Sequence, residues 1–229
     1  MSKKPIIVFE GIEGSGKSSH LASVARYLKQ KKISFIKIRE PGGSHNSEKI
    51  RKLMLNNKSN FNKNTDLLLF LSSRSENISL IKKNYNKKVI LIDRFTDSTI
   101  AYQHYGMGVN LKLINLLNKY LLKNIKINFT FLNIVNNKNL FLRLKKRKSL
   151  NRYDKFNSAF YSKVQKGFVK LANSRKNSYM IIDSNLEIEK NKKSILDKIK
   201  KLIEYIWKLH YNKVYSDIMK FLINSKIYI

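Results

Sequence analysis

Apolar residues follow two alternating patterns along this chain. Short runs rich in β-branched and aromatic residues, at Ile6–Glu10, Ser34–Arg39, Lys88–Asp93, Lys126–Leu132 and Tyr179–Asp183, predict strands. Between and after them, apolar positions recur at helical spacing over Lys17–Lys31, Ser47–Leu55, Thr65–Tyr85, Leu111–Leu122, Lys138–Lys148, Ala159–Ser174 and Glu187–Lys208. Near-continuous apolar strands separated by helices imply a parallel sheet covered on both faces. The expected fold is therefore α/β, a five-stranded parallel sheet with helices on both sides, in one domain over residues 1–210. Residues 211–229 read as a further amphipathic helix of unassigned role.

Composition narrows the class. With 42% hydrophobic and 11% aromatic residues, disorder is excluded for the bulk of the chain. No apolar run approaches the roughly 18 residues that span a membrane, and Ile6–Phe9 is too short for a signal peptide. A cytoplasmic location is expected. The absence of cysteine excludes a disulfide framework, a thiolate metal site and thiol chemistry.

The net charge of +32 would ordinarily point to a nucleic-acid or anionic-membrane partner. Its distribution argues otherwise. The 38 Lys, 26 Asn and 27 Ile are spread over the whole chain, and all three types have A/T-rich codons. A binding footprint should cluster, so no dedicated nucleic-acid or membrane partner is expected. The same drift makes the nine arginines informative, because each keeps a planar fork where lysine is the default. Seven of the eight glycines fall in three short segments, and Arg39 and Arg94 lie in or beside them.

The first of those segments is Gly11-Ile12-Glu13-Gly14-Ser15-Gly16-Lys17-Ser18, between a predicted strand and a predicted helix. This is the G-x-x-x-x-G-K-[ST] pattern in its required context, the sequence of a P-loop. Backbone N–H groups of Gly11 to Ser19 can wrap the phosphates of ATP, with the helix N-terminus adding positive potential. Lys17 can reach the β and γ phosphates, and the Ser18 hydroxyl can ligate Mg²⁺. The third strand ends Val89-Ile90-Leu91-Ile92-Asp93-Arg94, where Asp93 can support the Mg²⁺ shell and Arg94 a second phosphate. The N-K-x-D of GTPase switches is missing, since Asn137-Lys138-Asn139-Leu140 lacks the aspartate. A P-loop with a separate arginine site points to phosphoryl transfer between two phosphorylated ligands.

Three further segments carry a family resemblance: Arg39-Glu40-Pro41-Gly42-Gly43-Ser44, Phe70-Leu71-Ser72-Ser73-Arg74, and Asp93 through Gln103. In this order and spacing they resemble bacterial thymidylate kinases, over nearly the whole length to about His210. The resemblance implies phosphoryl transfer from ATP·Mg²⁺ to thymidylate, a homodimer with helical faces such as Leu67–Ile81 at its interface, and a mobile lid over about 143–157. It also implies a cis Glu40–Pro41 bond. Phe70 resembles the aromatic that stacks on thymine, although periodicity alone reads it as a core residue. Arg74 resembles the arginine on the base's O4 edge. Ser98, Thr99 and Gln103 resemble polar base contacts, and Tyr102 the residue against the sugar. Satisfied helix-surface or core groups remain the alternative for those four. Arg94, with Arg39 and Arg51, would hold the acceptor phosphate, while Glu13 faces the acceptor's 3′-hydroxyl.

Some members place a catalytic arginine beside that carboxylate, where this chain has Ser15. Members lacking it use lid arginines, here Arg147 and Arg152; a solvated basic helix end would explain the lysines of 143–154, but not three arginines among so few. Met107 between Gly106 and Gly108, and Asn151 before Arg152, depart from common family usage.

Overall fold

The structure is a computed structural model that describes residues 4–85 and 87–204. Five strands form one parallel sheet: β1 Ile6–Gly11, β2 Phe35–Arg39, β3 Val89–Asp93, β4 Phe129–Ile134 and β5 Tyr179–Asp183, in the order β2-β3-β1-β4-β5. The helices are α1 Lys17–Gln30, α2 His45–Leu55, α3 Lys63–Asn84, α4 Thr96–Thr99, α5 Leu111–Leu122, α6 Asn137–Lys145, α7 Ser158–Ser174 and α8, residues 188–204. The extension at 211–229, and the end of the helix expected to reach Lys208, lie outside the described residues. Among the described residues no helix is long and apolar enough to cross a membrane.

Strand β1 shows why the sheet is buried on both sides. Its successive side chains point to opposite faces. Ile7 and Phe9 join Leu21, Val24 and Leu28 of α1 and Ile195 and Ile199 of α8 in one core. Ile6 and Val8 join Ile78 and Ile81 of α3, with Ile90 and Ile92, in another. A third cluster packs α7 residues Tyr161, Val164 and Phe168 against Leu132 and the α6 residues Leu140 and Leu144.

Two local differences from the sequence pattern have physical causes. The strand expected at Lys126–Leu132 is displaced to Phe129–Ile134. Ile125 and Ile127 are apolar because they plug the core beside Ile6 and Val8, not because they pair as a strand. Asn128 bridges to the sheet instead, its Oδ1 accepting from the Ile6 N–H at 2.8 Å. The second difference is segment 96–106, for which no element was expected: α4 runs on into π-helical turns over Ile100–Gly106. All eight of its first residues, Thr96 to Gln103, are buried, so no amphipathic period exists to be read.

Chain direction across the sheet reverses between β1 and β3. β1 leads through α1 to the β2 edge, whereas β3 leads to β4 on the far side of β1. Ligands of open α/β sheets bind at such a switch point, beyond the carboxyl ends of the strands. The first glycine segment follows β1 and Arg94 follows β3, so both meet there.

Candidate active site

The turn after β1 is shaped by glycine. Gly11 has φ 137°, and a Cβ there would lie 2.2 Å from the Asn133 carbonyl oxygen. Gly16, at φ 86°, occupies the left-handed N-cap position of α1. Lys17 folds back over this turn, donating to the Ile12 carbonyl at 2.7 Å. Burial, and then the positive charge of Arg94, pull its ammonium pKa down to about 8. A polyanion above the turn would reverse that pressure and hold Lys17 charged.

Ser18 Oγ donates to Asp93 Oδ2 at 3.1 Å, and Asp93 Oδ1 is buried without a hydrogen-bond partner among the described residues. An orphaned carboxylate oxygen beside a hydroxyl, at the mouth of a phosphate loop, is a donor set that fits Mg²⁺. Hard oxygen ligands, few of them from protein, are what that ion uses with nucleotide phosphates.

Glu13, Arg94 and Tyr102 form the centre of the cleft. Arg94 Nη2 donates to Glu13 Oε1 at 2.7 Å and Nη1 to the Gly11 carbonyl at 2.8 Å. The Tyr102 hydroxyl donates to Glu13 Oε2. The guanidinium of Arg94 also lies over the Tyr102 ring, 5.2 Å from its centroid. Arg94 holds φ 65°, a conformation that costs about 1 kcal/mol or more for a residue with a Cβ and that persists where the surroundings over-determine it. Burial works against its charge, but Glu13, Tyr102, Asp93 and Glu10 together make it a weaker acid than usual.

Behind this centre, Glu10 is fully buried at the end of β1. It accepts from the Phe95 and Ser98 N–H groups at 2.9 and 3.2 Å and from Ser98 Oγ at 2.6 Å, tying the P-loop strand to the start of α4. Burial, then the charge of Asp97, raise its pKa to about 7, against the opposing hydrogen bonds. A carboxyl with a folded pKa above its unfolded 4.5 adds stability that is complete below 4.5 and is lost as pH rises through about 7. Glu10→Gln keeps the shape without titrating. Its melting temperature should therefore gain on the wild type between pH 5 and 8 in a thermal-denaturation series, whereas parallel pH profiles would contradict this placement.

The opposite wall comes from the loop after β2, where the Glu40–Pro41 bond is cis as expected. Arg51 Nη1 donates to the Pro41 carbonyl at 2.6 Å, and Arg39 pairs with Glu48 at 3.0 Å. The Arg51 pKa is lowered, by burial first and then by the nearby charges of Arg39 and Arg94, which Glu48 and Asp93 partly offset. Three crowded cations around one concavity are the electrostatics of an anion site. Phe70 of α3 and Ser98 also line the cleft, as do Arg147, Asn151 and Tyr153 from the segment between α6 and α7.

Four of the expected site residues are placed off that wall. Arg74 is 1% exposed; Nε and Nη2 donate to Glu40 Oε2 at 2.9 and 2.7 Å, Nη1 to Asn118 Oδ1 at 2.7 Å and Nη2 to Thr99 Oγ1 at 3.0 Å. Thr99 is thus one of its partners. Gln103 is fully buried, and neither of its amide atoms has a partner among the described residues. Arg152 is paired with Asp66 of α3 and does not line the cleft, whereas Arg147 lines it and pairs with Asp154. Sequence reading missed Glu40, Glu10 and Tyr153. Glu40 had a signal, lying inside the Arg39–Ser44 segment.

Comparison with known proteins gives one answer. The sequence model of thymidylate kinase matches residues 9–195. The thymidylate kinase of Thermosipho africanus is 38% identical over 200 residues, covering 86% of this chain and 96% of that one. That of Kosmotoga olearia is 32% identical over 186 residues, 80% of this chain and 89% of its own. The crystal structure of the Ehrlichia chaffeensis thymidylate kinase superposes with a TM-score of 0.70 at 28% identity, over 86% of this chain and 98% of that one. By that match over most of its length, the chain belongs to the thymidylate kinase family of phosphotransferases.

Proposed function

We propose that this enzyme transfers the γ-phosphoryl group of ATP to thymidylate, releasing thymidine diphosphate and ADP, in the cytoplasm. The observation that carries the reading is the Glu13–Arg94–Tyr102 knot. It joins the ATP loop to the acceptor wall at the switch point of the sheet, in a cleft that Phe70 also lines.

The residues divide the work as follows. The backbone of Gly11 to Ser19 surrounds the ATP phosphates, and Lys17 leaves the Ile12 carbonyl to neutralise charge at the β and γ positions. Ser18 and Asp93 would hold Mg²⁺, which when bound neutralises negative charge on those phosphates. Arg94, Arg39 and Arg51 receive the acceptor phosphate. Phe70 offers the base an apolar face, and Tyr102 occupies the place of a sugar 2′-hydroxyl. Glu13, which accepts a hydrogen bond from the Tyr102 hydroxyl, would accept one from the acceptor's 3′-hydroxyl as well. Arg147 reaches from the lid to the phosphoryl group in flight, and the closed lid excludes water that would otherwise hydrolyse ATP. Positioning and charge neutralisation supply the catalysis, with no covalent intermediate on the protein. In a nucleotide panel, ADP formation should rise strongly with thymidylate and more weakly with deoxyuridylate.

A homodimer belongs to the same reading, with its face relocated. Leu67 and Ile81 are buried in the chain's own core, whereas Leu68 on α3 and Leu113, Leu116 and Tyr120 on α5 are exposed apolar residues. Sedimentation equilibrium should give twice the 26.9 kDa chain mass; a monomer would remove the dimer.

A further inference from the structure

The lid is fastened at one corner, and the fastening is unusual in being both charged and buried. Asp66, in the first turn of α3, is 2% exposed. Its Oδ1 accepts from Arg152 Nη2, and its Oδ2 accepts from the Tyr153 hydroxyl at 2.8 Å. Arg152 is further held by the Met54 carbonyl at 3.1 Å and by the Tyr153 hydroxyl at 2.9 Å. The guanidinium lies 5.3 Å from the Phe61 ring centroid and 4.8 Å from that of Tyr153. From behind, the Tyr161 hydroxyl of α7 donates to the Tyr153 carbonyl at 2.6 Å. Residues 152–155 are thereby set as a single turn of 3₁₀ helix between α2, α3 and α7.

That turn carries the cleft arginine. Asp154 closes it through a capping box with Asn151 and is also the ion-pair partner of Arg147. The ionic chain Asp66–Arg152, then Asp154–Arg147, therefore runs from α3 to the cleft with one turn of backbone between its halves. The same aspartate is coupled to the acceptor wall. Phe70 lies one helical turn beyond Asp66 on α3, and its ring meets the Tyr153 ring edge-on at 5.8 Å. Phe70 and Tyr153 both line the cleft.

We propose that Asp66 is a positioning residue for phosphoryl transfer: with Arg152 and Tyr153 it forms a latch that docks the lid on α3, places Arg147 over the cleft, and tightens when a base lies against Phe70. This rests on the acceptor reading above. A base seated on Phe70 adds contact to the Tyr153 ring and so favours the docked lid by the free energy of that contact. Asp66 touches neither substrate; it acts through Arg152 and Tyr153.

The test compares full-length wild type with Asp66→Asn, Arg152→Gln, Arg152→Lys and the double variant Asp66→Asn/Arg152→Gln, by steady-state kinetics with ATP and thymidylate and by thermal melting. Each single loss of the pair should lower kcat about tenfold, in line with what small misplacement costs a positioned group, with KM for ATP held within about twofold. The double variant should fall no further than either single one, because one interaction is being removed twice. Arg152→Lys, which keeps the charge, should recover part of the loss. Unchanged kcat in folded Asp66→Asn, or losses that multiply in the double variant, would overturn the latch. If Asp66→Asn does not fold, Tyr153→Phe carries the same test, since it keeps the ring and removes only the hydroxyl: a fall in kcat of a few fold supports the latch, and wild-type kcat overturns it. A wild type inert toward thymidylate would instead defeat the acceptor reading and the latch with it, whereas an active wild type with indifferent variants would defeat the latch alone.

Discussion

Arg147→Ala is expected to lower kcat by about three orders of magnitude while KM for thymidylate stays within a few fold. An arginine brought to a transferring phosphoryl group contributes about 10³–10⁵ in rate, and a thousandfold corresponds to about 4 kcal/mol of transition-state stabilisation. The P-loop supplies Lys17 but has Ser15 where some relatives keep a second cation, and Arg143 is held by the Gly14 and Ser184 carbonyls, which leaves the transferring group to an arginine further along the lid. Arg147 fits that task by geometry. It lines the cleft and is 38% exposed, while its partner Asp154 is 1% exposed. The acceptor wall proposed at Phe70, Arg94 and Tyr102 does not include it, so acceptor binding should survive. Losing the pair leaves Asp154 with its Asn151 contacts alone, and some loss of melting temperature should accompany the kinetic effect. Steady-state kinetics at saturating ATP decides the matter, and a near-normal kcat would remove Arg147 from the reaction.

Arg94→Met should be worse still in kcat/KM, by about 10⁴, because it damages both substrates' sites at once. The native guanidinium spans the Gly11 carbonyl of the P-loop and the Glu13 carboxylate, and Glu13 is only 11% exposed. Methionine fills a similar volume but leaves that carboxylate without its cation, in the part of the cleft where a phosphate dianion must also sit. Repulsion between the two then replaces attraction. Lysine cannot repair this fully, since one ammonium cannot reproduce a fork aimed at two oxygens in different directions. Arg94→Lys should retain measurable activity, yet fall about a hundredfold short. Calorimetric titration with thymidylate reads the binding part directly: affinity should collapse in Arg94→Met and persist in Arg147→Ala. Equal affinities in the two variants would contradict the division of roles.

How much of this was legible in the sequence depends on how local the determining contacts are. Strands β1, β2, β3 and β5 and most helix bounds follow from runs of adjacent residues, and the P-loop from eight consecutive ones. Strand β4 was misplaced because core-plugging isoleucines imitate strand residues. The π-helical segment was missed because burial on every side erases the period. The pairings that decide which arginine faces the cleft were out of reach altogether. Arg74 is committed to Glu40, 34 residues away, and Arg152 to Asp66, 86 residues away. A motif names the residue type at each position, but only the three-dimensional balance of charge shows which arginine is already engaged. Phe70 shows the reverse case. Its periodicity reads as core, yet the cleft opens where its helix face would otherwise be covered.

The most direct test is to identify the product. Full-length protein with ATP·Mg²⁺ and thymidylate should yield thymidine diphosphate and ADP in equal amounts by ³¹P NMR. Uridylate should give far less product, and single-stranded DNA should leave ATP hydrolysis unstimulated. That result would join the P-loop to the Phe70–Arg94–Tyr102 wall in one reaction and leave the +32 charge as composition. No phosphorylation of any nucleoside monophosphate, together with salt-sensitive hydrolysis driven by DNA, would contradict the account and make the lysines the functional surface.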